Sequence, residues 1–318
     1  MSVPNQKSKS RLRRTLGFTK WAVLDGGWRQ LKTKYYLRHL DARLRGKVSR
    51  MPEIACRDDS DTGLIVMCGA RHFSMACLAA WTLLRHIAEP LAVTFVSDGT
   101  LSNDNGRFLS SRLPGCEIIQ SKQVDQLVES VLPRKRFPLL DELRRQNFGG
   151  RKLVTMNVVG TSRYRILLDG DVLFYDVPGD IAEAIEVLRQ GSSEMFFMRD
   201  ILCGYPCSAG ALEARLGKKV PGNLNAGLMI HRTFCREDFN QLENHLASFD
   251  IAWRKHYFIE QAAYAALAAG HGWSYLPASY SIPIPDVSFH PNGAVCSHFA
   301  GHGNRHLYYQ EALRLAVP

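Results

Sequence analysis

The sequence predicts an α/β fold in which a mostly parallel sheet carries helices on both faces. Two observations predict it. Short apolar runs of strand length alternate with longer stretches of helical periodicity. The runs are also apolar throughout rather than alternating with polar residues, as strands buried on both faces require. Size and hydropathy bound the answer. The 318 residues, 46% of them hydrophobic, suffice for one large core, and no run of eighteen apolar residues is present to span a bilayer.

The elements follow in order. GLIVMCG (63–69) is a short buried strand, and FSMACLAAWTLLRH (73–86) follows with a helical pattern. LAVTFVSDG (91–99) is a second strand, SNDNGRFLSSRL (102–113) a polar-faced helix with an internal glycine, and CEIIQ (116–120) a shorter strand. Residues 122–162 read as mainly helical, broken by a loop at LPRKRFP (132–138). YRILL (164–168) is the fourth strand, and it runs directly into Asp169, Gly170 and Asp171. A helix begins after the turn at Pro178 and Gly179, and EMFFMRD (194–200) returns to strand. Beyond a Gly/Pro-rich passage, NAGLMIHR (225–232) is a strand, and HYFIEQAAYAALAAGHG (256–272) is a helix stopped by glycine. SYSIPIPDVSFHPNG (279–293) reads as extended and NRHLYYQEALRLA (304–316) as a closing helix. No repeat and no low-complexity linker interrupts this body.

The formal charge of +10 is localised. Residues 1–50 carry fourteen Lys or Arg against two Asp, more than the whole excess, so the remainder is slightly acidic. This segment is set apart as a basic arm (1–50) from a single body domain (63–310). Within it, Trp28, Leu31, Tyr35, Leu40 and Leu44 approximate a helical stripe with Lys and Arg on the other faces. Docking on the body and contact with an anionic membrane surface are equally consistent with that pattern, and nucleic-acid binding ranks third. The eight cysteines show no zinc-finger spacing, and the start of the chain lacks the apolar segment of a secretory signal. Buried thiols in a reducing, cytoplasmic setting are expected, with the arm able to hold the protein at the cytoplasmic face of a membrane.

Several chemistries fall away. FVSDGTL (95–101) has the look of a haloacid-dehalogenase-type phosphatase opening, but Val96 stands where the nucleophilic aspartate would be. There is no G-x-G-x-x-G, no G-x-x-x-x-G-K-[ST] and no G-x-S-x-G. CGARHFS (68–74) is too poor in glycine and basic residues for a nucleotidyltransferase loop. Ligands of open α/β sheets gather at the carboxyl ends of strands, where Cys68, Gly69, Asp169 and Asp171 all fall. Asp169 and Asp171 offer hard oxygens to a divalent metal, with Gly170 allowing close approach; the plain alternative is a turn capped by Asp side chains. Asn225 and Gly227 begin a strand where an amide can bond a polyhydroxy ligand. Glu260 and Gln261 sit at a helix start, and His298 precedes a glycine-rich loop ending at Arg305, whose guanidinium suits phosphate.

Taken together, residues 63–310 resemble the GT-A nucleotide-sugar glycosyltransferases, in particular the retaining family of glycogenin and the bacterial lipopolysaccharide galactosyl- and glucosyltransferases. The resemblance implies that LDGDV (168–172) binds Mn²⁺ or Mg²⁺ through Asp169 and Asp171, with His298 of an H-x-x-G motif (His298, Gly301) as third ligand. It implies that Asn225-Ala226-Gly227 and Glu260-Gln261 face the sugar, and that Lys152 lies near the donor diphosphate. Some contacts to the sugar hydroxyls are expected within residues 200–225. The partners implied are a nucleotide sugar, expected to be UDP-linked, and a glycan, lipid-linked or protein acceptor. Two departures stand out. Asn304 occupies the place of the family's loop lysine, with Arg305 one step later, and GARHF (69–73) replaces its aspartates after the first strand. A GT-A-like binding protein without turnover, using the arm on nucleic acid or membrane, is the alternative.

Overall fold

The structure is a computed structural model that describes residues 27–284, 289–301 and 303–316, with side chains from residue 35 onward. Trp28 and Leu31, assigned above to the helical stripe, therefore have side chains outside the described set. A seven-stranded sheet forms the centre, in the order β3 (Glu117–Ile119), β2 (Ala92–Ser97), β1 (Thr62–Cys68), β4 (Tyr164–Leu168), β7 (Leu224–Arg232), β6 (Met195–Arg199) and β8 (Trp273–Tyr275). All pairings are parallel except those that β7 makes with β4 and β6, so β7 alone runs against the rest. A small second sheet joins β5 (Val172–Phe174), β10 (Cys296–His298) and β9 (Tyr280–Ser281).

The strands are buried on both sides because their side chains feed two apolar layers by turns. Leu64, Val66, Ile166, Leu168, Leu228 and Ile230 face one layer; Ile65, Leu167 and Met229 face the other. The first layer is closed by α1 (Gly27–Val48), α2 (Phe73–Leu84), α7 (Gly179–Arg189) and α12 (Arg305–Leu315). The second is closed by α4 (Ser121–Val131), α5 (Pro138–Gln146), α6 (Phe148–Val158), α9 (Arg236–Ser248) and α11 (Ile259–His271). The largely exposed helices α3 (Asn103–Arg112) and α8 (Ala209–Leu216) and the single turn α10 (Ile251–Arg254) complete the set. The eight cysteines are all free thiols.

The basic arm is half inside this core. Leu40, Leu44 and Val48 of α1 are buried with the first layer, and Leu37 packs against them. Lys47 Nζ donates to the Leu313 carbonyl at 2.9 Å, satisfying a free acceptor near the end of α12, and Tyr309 Oη donates to Asp41 Oδ1 at 3.3 Å. Tyr35 does not join the apolar stripe: it is 78% exposed. The residues that keep helical spacing with Leu40 and Leu44 are Leu37 and Val48, and Tyr35, five residues before Leu40, lies about 140° around the helix from it. Tyr36, Arg38, His39, Arg43 and Arg45 are exposed beside it. No helix among the described residues is long and apolar enough to cross a membrane.

Candidate active site

Three acidic or basic side chains meet where β4 ends. Asp169 and Asp171 leave β4 on either side of Gly170, which packs on the backbone of Ala76 in α2. Asp169 N donates to the Gly227 carbonyl at 2.8 Å, extending the β4–β7 ladder by one step. Phe299 N donates to the Asp171 carbonyl at 2.9 Å, which continues the β5–β10 pairing and brings His298 over the pair. His298 Nε2 lies 3.1 Å from Asp171 Oδ1 and 3.9 Å from Asp169 Oδ2. One ligand atom from each of Asp169, Asp171 and His298 lies within 4.8 Å of the others. Two carboxylate oxygens and one imidazole nitrogen are a donor set for a divalent cation such as Mn²⁺ or Mg²⁺.

The imidazole is aimed by its neighbours. His298 Nδ1 lies 2.7 Å from Asn225 Oδ1, and Asn225 Nδ2 donates to Asp200 Oδ2 at 2.9 Å. The amide oxygen also accepts from Gly227 N at 2.9 Å, so the Asn225 amide can be placed only one way round. An oxygen at Nδ1 fixes the proton there and leaves Nε2 free for a metal, as outer hydrogen bonds to metal-binding histidines do. Gly227 is obligatory here, because a Cβ would collide with the His298 ring and the Asn225 oxygen. Burial works against charge on both His298 and Asp171, and each outweighs it for the other: the imidazole is held above its ordinary range and the carboxyl below.

Lys152 sits beneath this cluster, 5% exposed. Its Nζ lies 2.7 Å from Asp169 Oδ1 and 3.2 Å from Glu260 Oε1, and donates to the Ala226 carbonyl at 2.9 Å. Pairing between β6 and β7 slips at Phe197/Met198, opposite the stretch of β7 that contains Ala226. Burial opposes the ammonium, but Asp169 and Glu260 outweigh it and hold Lys152 above the usual lysine range. Burial pushes the Glu260 carboxyl up to about 7, against the pull of Lys152. The ammonium is thus paired with two carboxylates and hydrogen-bonded to the Ala226 carbonyl, while Glu260 Oε1 keeps no hydrogen-bond donor.

Other expected residues take distinct places. Gln261 lies beside Asp200, Gly204 and Leu224. Turning its amide nitrogen to the Gly204 and Leu224 carbonyls, at 2.5 and 3.3 Å, satisfies two acceptors, whereas the opposite orientation satisfies only Asp200 Oδ2, at 3.3 Å. We assign the former from the network, which leaves Gln261 Oε1 facing the Asp200 side. Asn304 is buried, donating to the Pro283 and Ala300 carbonyls at 2.8 and 3.1 Å, so it closes the loop instead of meeting a ligand. Arg305 opens α12 and is half-buried. Burial, with the positive charges of Arg305 and Arg71, holds the His72 imidazole below its ordinary range. Gly301 adopts φ +81°, a conformation glycine takes without strain. Cys68 is buried at the end of β1, and Gly69 follows it at the sheet edge. Asp200 was not singled out by sequence reasoning, although it carries the same signal as Asp169: a charged residue directly after a buried strand.

No protein-family model and no curated protein matches this sequence. Solved structures do. The apo structure of the bifunctional glycosyltransferase WbbM matches over 82% of this chain and 51% of its own length, with a TM-score of 0.53 at 13% identity. The chain thus spans about half of WbbM. Apo mouse xyloside xylosyltransferase 1 matches over 77% of this chain and 97% of its own (TM-score 0.49, 14% identity). Galactosyltransferase LgtC, in complex with donor and acceptor sugar analogs, matches over 80% and 97% (TM-score 0.44, 13% identity). At such identity the WbbM likeness is one of fold, and the chain has the GT-A architecture: a mostly parallel sheet, helices on both faces, and an Asp-Asp-His cluster at the carboxyl edge.

Asn225→Ala should weaken Mn²⁺ binding by about 10- to 100-fold while the protein stays folded, because it frees the His298 ring without removing a ligand. Titration calorimetry with Mn²⁺ checks this, and unchanged affinity would contradict the orienting role.

Proposed function

We propose that this protein is a glycosyltransferase that moves a sugar from a nucleotide sugar, UDP-linked, to a carbohydrate acceptor on a lipid or protein. Asp169, Asp171 and His298 would hold the divalent cation. The observation that carries the reading is the convergence of these three side chains at the carboxyl edge of a GT-A sheet. When bound, the cation supplies Lewis-acid neutralisation of the charge that develops on the departing diphosphate. Lys152, buried and paired with Asp169 and Glu260, would position these carboxylates rather than meet phosphate itself. Arg305, which opens α12 after the loop that follows His298, would supply fixed positive charge to the diphosphate.

The sugar lies against Asp200, Asn225 and Gln261. Gln261 Oε1 and Asp200 Oδ2 are neighbouring acceptors, an arrangement that a sugar hydroxyl, as a donor, relieves. Gln261 is a neutral amide and a poor nucleophile, and Glu260 is tied to Lys152. Neither is suited to forming a covalent intermediate. Retention is what the resemblance to the glycogenin family implies, and with neither group suited to a covalent intermediate it would proceed by front-side attack, the acceptor hydroxyl passing its proton to an oxygen of the leaving phosphate. The body, 63–310, does the chemistry, and the arm, 1–50, holds it at an anionic leaflet through Tyr35, Tyr36, Arg38 and Arg43, which are exposed while the opposite side of the helix is anchored in the core.

Nucleotide release from a panel of nucleotide sugars with Mn²⁺ should occur with one donor and fall by about a hundredfold or more in Asp171→Ala. Release that ignores both the cation and the substitution would sink the reading. For the arm, the protein should sediment with phosphatidylserine vesicles and not with phosphatidylcholine ones. A Tyr35→Ser/Arg38→Glu/Arg43→Glu variant should lose that binding severalfold per charge, since each basic residue contributes about 1 kcal/mol at such a surface. Equal sedimentation of the two proteins would remove the membrane from the account.

A further inference from the structure

The loop from Asp200 to Ser208 joins β6 to α8 and lies against Gln261, and it carries two cysteines that the transfer chemistry above does not use. Both ends of the loop are fixed. Asp200 N donates to the Asn223 carbonyl at 2.8 Å, and Ser208 Oγ caps α8 by accepting from Ala211 N at 3.2 Å. Its middle is fixed as well. Tyr205 is buried, its Oη donating to the Pro221 carbonyl at 2.5 Å and accepting from Leu224 N at 3.3 Å. A Cβ built on Gly204 would fall on the Gln261 amide, and the Gly204 carbonyl accepts from that amide in the orientation assigned above. Gly204 and Gln261 therefore hold each other in place.

Cys203 and Cys207 flank Gly204, Tyr205 and Pro206. Cys203 is exposed and Cys207 half-buried, and both are free thiols. Cys203 Sγ donates to the Cys207 carbonyl at 3.8 Å. A carbonyl oxygen is about 2.4 Å from its own Cα, so this sulfur is within about 6 Å of the Cys207 Cα. The bridge is near but not made, and making it draws Cys203 toward Cys207. The other thiols are less suited. Cys68, Cys77 and Cys296 are buried, and burial pushes the Cys56 and Cys116 thiols up to about 12 and about 11, which leaves little thiolate. Of the two exposed thiols, Cys203 and Cys235, only Cys203 has a second cysteine in its own turn. Burial and the adjacent Cys203 raise the Cys207 thiol, which suits it to resolve an oxidised neighbour rather than to be the first target.

We propose that Cys203 and Cys207 are an oxidative modification site, at which a peroxide closes a disulfide that draws Gly204 off Gln261 and weakens binding of the donor sugar. The effect on the sugar rests on the reading that Asp200 and Gln261 face it; the disulfide itself does not. Hydrogen peroxide oxidises the exposed Cys203 thiol to sulfenic acid, and one water leaves. The Cys207 sulfur then attacks the Cys203 sulfur, the S–O bond breaks, and the hydroxyl departs with the Cys207 proton as a second water. Two thiols have lost two hydrogens and two electrons, and one peroxide has become two waters. A dithiol reverses the step by exchange. Within the closing turn the residues differ in stiffness. Tyr205 is held by two hydrogen bonds and Pro206 has a fixed φ, so the movement falls on Cys203 and Gly204. The carbonyl that moves is the one that Gln261 uses.

The test treats the full-length protein with hydrogen peroxide, alkylates it and digests it with trypsin. Cleavage after Arg199 and Arg215 releases residues 200–215, which contain Cys203 and Cys207 and no other cysteine. By mass spectrometry this peptide should be unalkylated and lighter by two hydrogens, and dithiothreitol should restore alkylation of both thiols. Calorimetric titration with UDP, UDP-glucose and UDP-galactose in Mn²⁺ reads the consequence. Oxidised and reduced protein should bind UDP alike, while the affinity for whichever UDP sugar binds falls by about tenfold on oxidation. Cys207→Ser, which cannot close the bridge, should bind that sugar nucleotide equally before and after peroxide. A peptide whose two thiols still alkylate after peroxide, or in which Cys203 is carried on to sulfinic acid beside a free Cys207, overturns the modification site. A mapped disulfide that leaves the affinity for the sugar nucleotide unchanged overturns its hold on Gln261. Failure of both UDP sugars to bind the reduced protein overturns the donor reading and the effect on the sugar with it, and leaves the disulfide to be judged by the peptide alone.

Discussion

The buried ammonium of Lys152 is the constraint on which the site depends. A charge taken out of water must be met by opposite charge and hydrogen-bond acceptors, or it destabilises the fold. Lys152 meets three acceptors from three elements: Asp169 after β4, Glu260 at the start of α11 and the Ala226 carbonyl within β7. Those contacts set the angle of Asp169, hold the start of α11 against the sheet, and draw on the stretch of β7 where pairing with β6 slips. Without the ammonium, Asp169 and Glu260 would face each other as like charges. The groups proposed to hold cation, sugar and acceptor are therefore oriented from below by one cation that never needs to touch substrate.

From above, the same cluster is closed by the small sheet. β10 pairs with β5, directly after the aspartates, and this pairing carries His298 across some 125 residues of chain to Asp171. Asn225 then couples the imidazole to Asp200 and so to the place where a sugar would lie. In the proposed function, metal and sugar would share hydrogen-bonding partners, and the cost of disturbing one would be felt by the other. The arm is arranged on the same economy of surfaces: α1 spends Leu40, Leu44 and Val48 on the core, leaving its basic side to solvent.

Much of this was legible in the chain. The parallel strands β1, β2 and β4 announce themselves as unbroken apolar runs because both their faces are covered, and the aspartates after β4 stand out against that background. β5, β8 and β10 were not legible. Three residues carry no periodicity, and their pairing depends on where the loops bring them. The reversed direction of β7 was also invisible, because apolar content does not encode polarity. At the site, the placement of His298 came through resemblance, and its dependence on Asn225 could be seen only once the strands were side by side. Lys152 was expected near phosphate; its burial follows from a helix packing its side toward the sheet, which spacing alone does not reveal. Tyr35 misled because an aromatic on a basic helix looks apolar whether or not it meets the core.

The central claim is that Asp169, Asp171 and His298 form one metal site. Anomalous diffraction at the manganese edge, from crystals of the full-length protein grown with Mn²⁺, tests it most directly. The account predicts a single strong peak within coordination distance of Asp169, Asp171 and His298 Nε2. A map with no peak between these side chains, or with Mn²⁺ bound elsewhere on the sheet edge, would contradict it.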